Sequence, residues 1–410
     1  MEKLNLAAAN LTGTLDGKLG QLKYLIDLNL SSNTFSGPIP SQIGKLRNLT
    51  VLDLSQNQLH GNIPLELLTS LEKLAVMRLD DNMLNGSIPS QLGELTELLH
   101  LNFSANWLSE IIPIEFGELK KLEVLDLSQN RLSGTIPSEF GKLKKLEVLD
   151  LSQNRLSGTI PSELGLLKML RELALFSNNL TGRIPPQIGY LTSLQVFLAY
   201  NNRISESIPP QVGQLKRLQN LNLGNNSISQ ELPAELGRLV NLDFLDLNLN
   251  KLGGNIPSLL AKLTLLTYLD LSNNQFSGLV PPFLANCSML RYLKLNNNSL
   301  VGEIPAEIGR LMNLHSLSLN RNKLTRVHPS LTFNNRTSVV LIDVCDNHLS
   351  GRLPESWGQN RNLRVITVGY NRLQGNLPDW LWDLSNLQLL DFSNNKFSSN
   401  IPPKMVCCKL

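Results

Sequence analysis

Aromatic and charged side chains interrupt an otherwise uniform polar pattern. Glu172, Ala174 and Phe176 form one outward set, and Val196, Leu198 and Tyr200 form the next, with Arg203 just beyond. Further along, Phe244, Tyr268 and Tyr292 occupy one column, joined by Lys294. Exposed aromatics on a rigid surface bury much area on binding at little entropic cost, so these residues suit recognition of a partner. The candidate binding set is Glu172, Phe176, Leu198, Tyr200, Arg203, Phe244, Tyr268, Tyr292 and Lys294. The competing reading makes the aromatics simple covers over an apolar core.

Signals of catalysis are missing. The chain has no GxGxxG, no GxxxxGK[ST], no HExxH and no CxxC pair. His60, His100, His315, His328 and His348 are scattered. Cys287, in LANCSML, reads as a small core residue. Asp53, Asp126, Asp150, Asp270 and Asp391 make an acidic column, each followed two residues later by serine. Metal sites need several ligands converging on one point, so a solvated face is expected, with Arg131, Arg155, Arg203 or Lys251 as counter-charge. The expectation is no enzyme, no metal and no cofactor.

What positions these residues is a repeat. LKKLEVLDLSQNRLSGTIPSEFG, residues 119–141, is followed by a copy at residues 143–165 that differs only in Leu164 for Phe140. In LEVLDL the leucines fall at every second or third position, the period of a short strand with one buried face. Asn130, Leu132, Gly134 and Ile136-Pro137 then turn the chain away. One such unit cannot close a core, whereas stacked units bury their leucines against one another and align their strands in a parallel sheet.

An asparagine marks every coil: Asn33, Asn57, Asn82, Asn106, Asn130, Asn154, Asn178, Asn202, Asn226, Asn250, Asn274, Asn298, Asn322, Asn347, Asn371 and Asn395, with Ala9 in the first slot. The spacing is 24 residues, and 25 at Asn57→Asn82 and Asn322→Asn347. Seven residues after the slot stands a proline in 16 of the 17 coils. The asparagine amide has two donors and an acceptor, suited to pairing backbone groups of its own and the neighbouring coil. Seventeen coils account for all 410 residues, so one repeat domain, 1–410, is expected with no room for a kinase or other catalytic module.

The consensus LxxLxxLDLSxNxLSGxIPxxLGxL resembles the plant-type leucine-rich repeat of receptor-kinase ectodomains, receptor-like proteins and polygalacturonase inhibitors. The resemblance covers essentially the whole chain. It implies an α/β, right-handed solenoid of about 17 repeats, with a parallel sheet on the concave side and helical turns on the convex side. It also implies recognition of a peptide or protein ligand on the concave face, with a co-receptor as a further partner. Two other readings stand beside it: a secreted enzyme inhibitor and a non-signalling interaction scaffold.

Three departures from that family are visible. Complete cysteine-paired caps are absent, and Cys407 and Cys408 at the end suit the start of a truncated cap. No apolar run approaches the roughly 18 residues needed to span a bilayer. No basic-then-apolar secretory segment follows Met1. The family resemblance places the chain outside the cell or at the plasma membrane, and the reading that reconciles these facts is a fragment or an engineered array. The net charge of +3 gives no basic patch for nucleic acid.

Ten NxS/T sequons, at Asn10, Asn29, Asn48, Asn85, Asn102, Asn179, Asn225, Asn286, Asn297 and Asn335, lend weak support to a secreted ancestry. Two irregular places remain. Arg326 and His328 replace the usual Gly and Ile, which predicts a local bulge in a convex loop, with a modified loop that meets a partner as the alternative. Trp380 and Trp382, in DWLWDL, are expected to pack on the convex side, with a binding site as the alternative.

Overall fold

The computed structural model describes residues 1–333 and 336–398. The chain forms two compact units, Met1–Ser205 and Glu206–Leu410.

Every coil opens with a three-residue inner strand. In Val124–Asp126, Leu125 is buried while Val124 and Asp126 are half-buried, the alternation of a strand with one face inward. In the first unit nine such strands, from Lys3–Asn5 to Val196–Leu198, pair in parallel. Their register runs without slip through Val76, His100, Val124, Val148, Glu172 and Val196. The second unit has eight, from Asn220–Asn222 to Leu389–Asp391. The seventeen inner strands match the seventeen coils of the sequence.

The turn after each inner strand depends on backbone sign. The residue before the slot asparagine takes the left-handed conformation, as at Gln129 (φ 54°) and Leu249 (φ 50°). The asparagine then closes the turn. Asn130 Nδ2 donates to the carbonyls of Leu127 (3.2 Å) and Ser128 (3.0 Å) in its own coil and of Phe103 (2.9 Å) in the coil before. Its Oδ1 accepts from the Leu108 amide at 3.0 Å. One side chain thus satisfies four backbone groups, any of which would cost ~1–3 kcal/mol if buried unpaired.

Beyond the turn, short flanking strands such as Arg131–Ser133 lead to Gly134, whose φ of 76° and close approach to Ile111 require glycine. Pro137 then opens the 3-10 turn Ser138–Lys142, where its missing N–H costs nothing. The turn ends as Leu143 N donates to Phe140 O. Between sheet and turns lies a core of Leu122, Leu125, Leu127, Leu132, Ile136 and Phe140, repeated coil after coil and almost fully buried. Each buried leucine contributes roughly 1.5–3 kcal/mol.

The first 25-residue coil shows how an extra residue is absorbed. Its helical turn, Leu65–Leu68, is α rather than 3-10, with Thr69 N bonded to Leu65 O and Leu71 N to Leu67 O. One more residue per turn is accommodated there, and the inner strands Val51–Asp53 and Val76–Arg78 keep register. Among the described residues the other helical turns are 3-10.

The expected bulge is present. The flanking strands Val301–Ile304 and Lys323–Val327 shift register between Gly302 and Glu303. Val327 pairs with Ile304 and is buried in place of the usual isoleucine. Trp380 is buried and its Cβ lies 2.2 Å from where a Cβ on Gly358 would stand, so close packing of two helical turns excludes a larger residue at Gly358. Trp382 is half-buried, as packing requires. Cys287 is fully buried, its Sγ 3.4 Å from Leu260 O, and burial pushes its thiol up to about 11. Asn335, Cys407 and Cys408 lie outside the described residues.

Candidate functional site

In the first unit the aromatic pair is real. The rings of Phe176 and Tyr200 stack at 4.5 Å with planes 5° apart. They follow strands whose register sets Glu172 against Val196 and Ala174 against Leu198. Glu172, Phe176, Leu198 and Tyr200 are half-buried on this face, whereas Ala174 is 1% exposed. Burial raises the Tyr200 hydroxyl pKa. Arg203 stands apart from the set: it opens a flanking strand, paired with Thr181, rather than an inner one.

A second aromatic column belongs to the second unit. Phe244, Tyr268 and Tyr292 are cross-strand neighbours in register. Phe244 and Tyr268 stack at 4.4 Å and 6°, and Tyr292 is tilted against Tyr268 at 5.8 Å. The His315 ring lies 6.3 Å from that of Tyr292, although the residue in register with Tyr292 on the next strand is Ser316. The two aromatic sets occupy different positions of the repeat. Phe176 and Tyr200 stand two residues before the slot asparagine, and the second set six before.

Lys294 is tied into this column. Its Nζ donates to Tyr268 Oη (2.8 Å), lies 3.4 Å from Asp270 Oδ2 and stands over the Tyr268 ring at 4.9 Å. Tyr268 Oη donates in turn to Asp270 Oδ2 at 3.1 Å. Burial works against the charge on Lys294, but the Tyr268 hydrogen bond and Asp270 outweigh it and raise its pKa. Burial raises the Tyr268 pKa against the lowering pull of Lys294. The network holds one aromatic face and one ammonium in fixed relation.

The acidic column has a structural job. Asp126 and Asp150 accept from the amides of Ser128 (2.9 Å) and Ser152 (2.8 Å), closing the end of each inner strand. The expected counter-charge role of Arg131 gives way to an aromatic contact, its guanidinium 5.5 Å above the Trp107 ring. Burial raises the Asp80 and Asp150 pKa values. Burial, with Asp270 alongside, pushes Asp246 up to about 6. Among the described residues no group of three or more His, Cys, Asp or Glu is placed to hold a metal ion.

Sequence analysis left His315 among the scattered histidines and did not connect it with Tyr292, because it stands one residue before the slot that faces Tyr292.

Two family models described as leucine rich repeat match the chain, one at residues 1–59, 72–132, 120–180 and 337–397, the other at 217–239, 265–287 and 289–311. Among solved structures the chain is similar to the plant peptide hormone receptor RGFR1 in complex with RGF2, at 33% identity and TM-score 0.84 over 100% of this chain and 73% of that one. It is similar to a TDR receptor at 31% and 0.94, over 100% and 70%. It is also similar to the Leptospira interrogans LRR protein LIC12759 at 30% and 0.72, over 95% of each. No curated protein matches the chain significantly.

Proposed function

The chain belongs to the leucine-rich repeat family, and from that premise we propose that it recognises a peptide on the outward face of its inner strands, as the ligand-binding part of a plant receptor-type ectodomain. The carrying observation is the in-register column Phe244, Tyr268 and Tyr292 with Lys294 held against it. An extended peptide places alternate side chains on successive strands, and a stacked aromatic column gives it flat, rigid anchors. The fixed ammonium suits a carboxylate or backbone carbonyl of that peptide. Within the first unit, Phe176 and Tyr200 form an anchor pair of their own, with Glu172 and Leu198 beside them; Arg203 serves from the flanking strand.

Other parts of the reading follow from the same likeness. The mechanism is recognition without catalysis, the repeats act as one ligand-binding domain, and a co-receptor completes the signal. The compartment is extracellular, with exposed sequons such as Asn10, Asn85 and Asn179 available to glycans. Among the described residues no helix is long and apolar enough to cross a membrane. The likeness to a bacterial leucine-rich repeat protein over nearly all of both chains favours a second reading, an interaction scaffold outside any receptor.

The test is selection of binders from a random peptide display library, with RGF2 as an added probe. Binders from the receptor reading lose about tenfold or more in affinity on Tyr268→Ala, equal to ~1.4 kcal/mol. Binders indifferent to both Tyr268→Ala and Tyr200→Ala would remove the proposed face.

A further inference from the structure

A dent of about 280 Å³ lies in the second unit, lined by His315, Ser338, Val340, Asn362, Arg364 and Asn386. The His315 ring connects it to the aromatic column, 6.3 Å from the ring of Tyr292. His315, Val340 and Arg364 hold one slot in three successive coils, with Val340 N bonded to His315 O and Arg364 N to Val340 O, both 2.9 Å. Ser338 and Asn362 stand two residues before Val340 and Arg364.

A break in a second asparagine ladder makes the dent. At the slot of Ser338, an asparagine in nearby coils bridges to a carbonyl of the coil before: Asn313 Nδ2 to Ser288 O (3.0 Å), Asn362 Nδ2 to Thr337 O (3.1 Å) and Asn386 Nδ2 to Arg361 O (2.8 Å). Ser338 has no such reaching amide. Its backbone N–H takes the Met312 carbonyl instead, at 3.0 Å. Two short side chains, Ser338 and Val340, therefore sit between longer ones in the coils on either side.

The lining is rich in donors. Among the described residues neither the Arg364 guanidinium nor the Ser338 hydroxyl has a hydrogen-bond or ion-pair partner. Asn362 and Asn386 each commit one amide hydrogen to the ladder and keep another. His315 Nδ1 lies 2.8 Å from Asn313 O, which can only accept, so Nδ1 carries a proton and Nε2 is left over. The six lining residues include one positive charge and no carboxylate. Asp343, three residues beyond Val340, already accepts from Thr367 Oγ1 (2.6 Å) and the Cys345 amide (3.1 Å). A guanidinium fork without a counter-anion, with hydroxyl and amide donors around it, suits an oxyanion.

We propose that this dent receives an acidic side chain of the bound peptide, its oxyanion (a carboxylate, or a phosphate or sulfate ester) seated on Arg364. The inference deepens the peptide reading and rests on it for the source of the side chain. One water takes about 30 Å³ in the liquid, so the dent has room for a side chain and not only for a bare ion.

The experiment uses small probes, so that its outcome is separate from peptide selection. The full chain, labelled with 13C-histidine, is titrated with acetate, methyl phosphate, methyl sulfate and neutral acetamide at fixed pH and ionic strength. His315 is followed by its ring resonance, with His60, His100, His328 and His348 as internal controls. At least one anion is expected to move His315 alone and to saturate on the order of 1–10 mM. Tightest binding by acetate names a carboxylate as the source, and tightest binding by either ester names a modified side chain. Acetamide leaves the resonance in place. Arg364 is exposed and its guanidinium has no partner among the described residues, so Arg364→Gln folds and keeps the parent's urea midpoint. In that variant anion affinity falls about tenfold or more, and Arg364→Lys, which keeps the charge, loses less. No saturation by any anion, equal response to acetamide, a common response of all five histidines, or undiminished affinity in Arg364→Gln would each overturn the proposal. If the dent takes no anion while peptide binders still depend on Tyr268, this inference fails and the peptide reading stands. If the dent saturates while no peptide depends on Tyr268 or Tyr200, the oxyanion site stands and the proposed peptide face is lost.

Discussion

The ring of Tyr268 lies 4.4 Å from that of Phe244 with their planes only 6° apart, on directly opposed positions of neighbouring strands. The stack also carries a polar edge, because Tyr268 Oη accepts from Lys294 and donates to Asp270. Tyr268→Phe keeps the ring and removes that edge. It lowers stability by ~1–2 kcal/mol, read from the urea midpoint, since Asp270 is nearly buried and loses a donor. An unchanged midpoint would show that the hydroxyl is idle.

Asp246 makes stability depend on pH. Its carboxyl titrates at about 6 in the fold against an ordinary value of 3.8, mainly through burial. Between those values the folded state holds the extra proton, so this group's contribution falls as pH rises from about 4 to about 6. The full penalty above that window is on the order of 3 kcal/mol. The raised Asp80 and Asp150 add slope of the same sign. Asp246→Asn keeps an acceptor for the Asn248 amide and removes the charge, leaving Asp270 and Lys294 paired. Urea titrations across pH are expected to show the variant more stable than the parent near neutrality and equal to it below about pH 4.

Adjacent asparagines separate structure from surface. Asn178 donates to Leu151 O, Leu175 O and Phe176 O and accepts from the Leu156 amide, while Asn179 is exposed. Asn178→Ala is expected to cost ~3–5 kcal/mol and to loosen the strand end that carries Phe176. Asn179→Ala stays within about 0.5 kcal/mol. Equal midpoints for the two variants would refute the ladder.

Leu249 occupies the left-handed position before Asn250, at φ 50°, and is half exposed. A side chain branched beyond Cβ gains nothing there from packing and pays the steric cost, which asparagine tolerates better. Leu249→Asn is therefore expected to raise stability by up to about 1 kcal/mol in thermal unfolding; a loss would mean that the leucine packs usefully.

The fold was open to reading because its instructions are local and repeated. A period of 24 places leucines on one strand face and one amide at each turn, and seventeen copies leave a single way to stack them. The aromatic columns were legible for the same reason, since equal slots become cross-strand neighbours. Arg203 shows the limit of that rule: one turn beyond Tyr200, it belongs to a flanking strand. The α turn at Leu65–Leu68 was equally hidden, because a 25-residue spacing announces an extra residue without saying where the backbone absorbs it.

The sequence by itself thus determined the coil number, the strand register and the asparagine ladder, all set by contacts between identical neighbours. Only the tertiary structure decided the one-off relationships. Lys294 joins both Tyr268 and Asp270, and Asp246 is driven toward neutrality. Each depends on unlike residues meeting across strands in a partly desolvated place, where distance and burial set the energy and residue type alone does not.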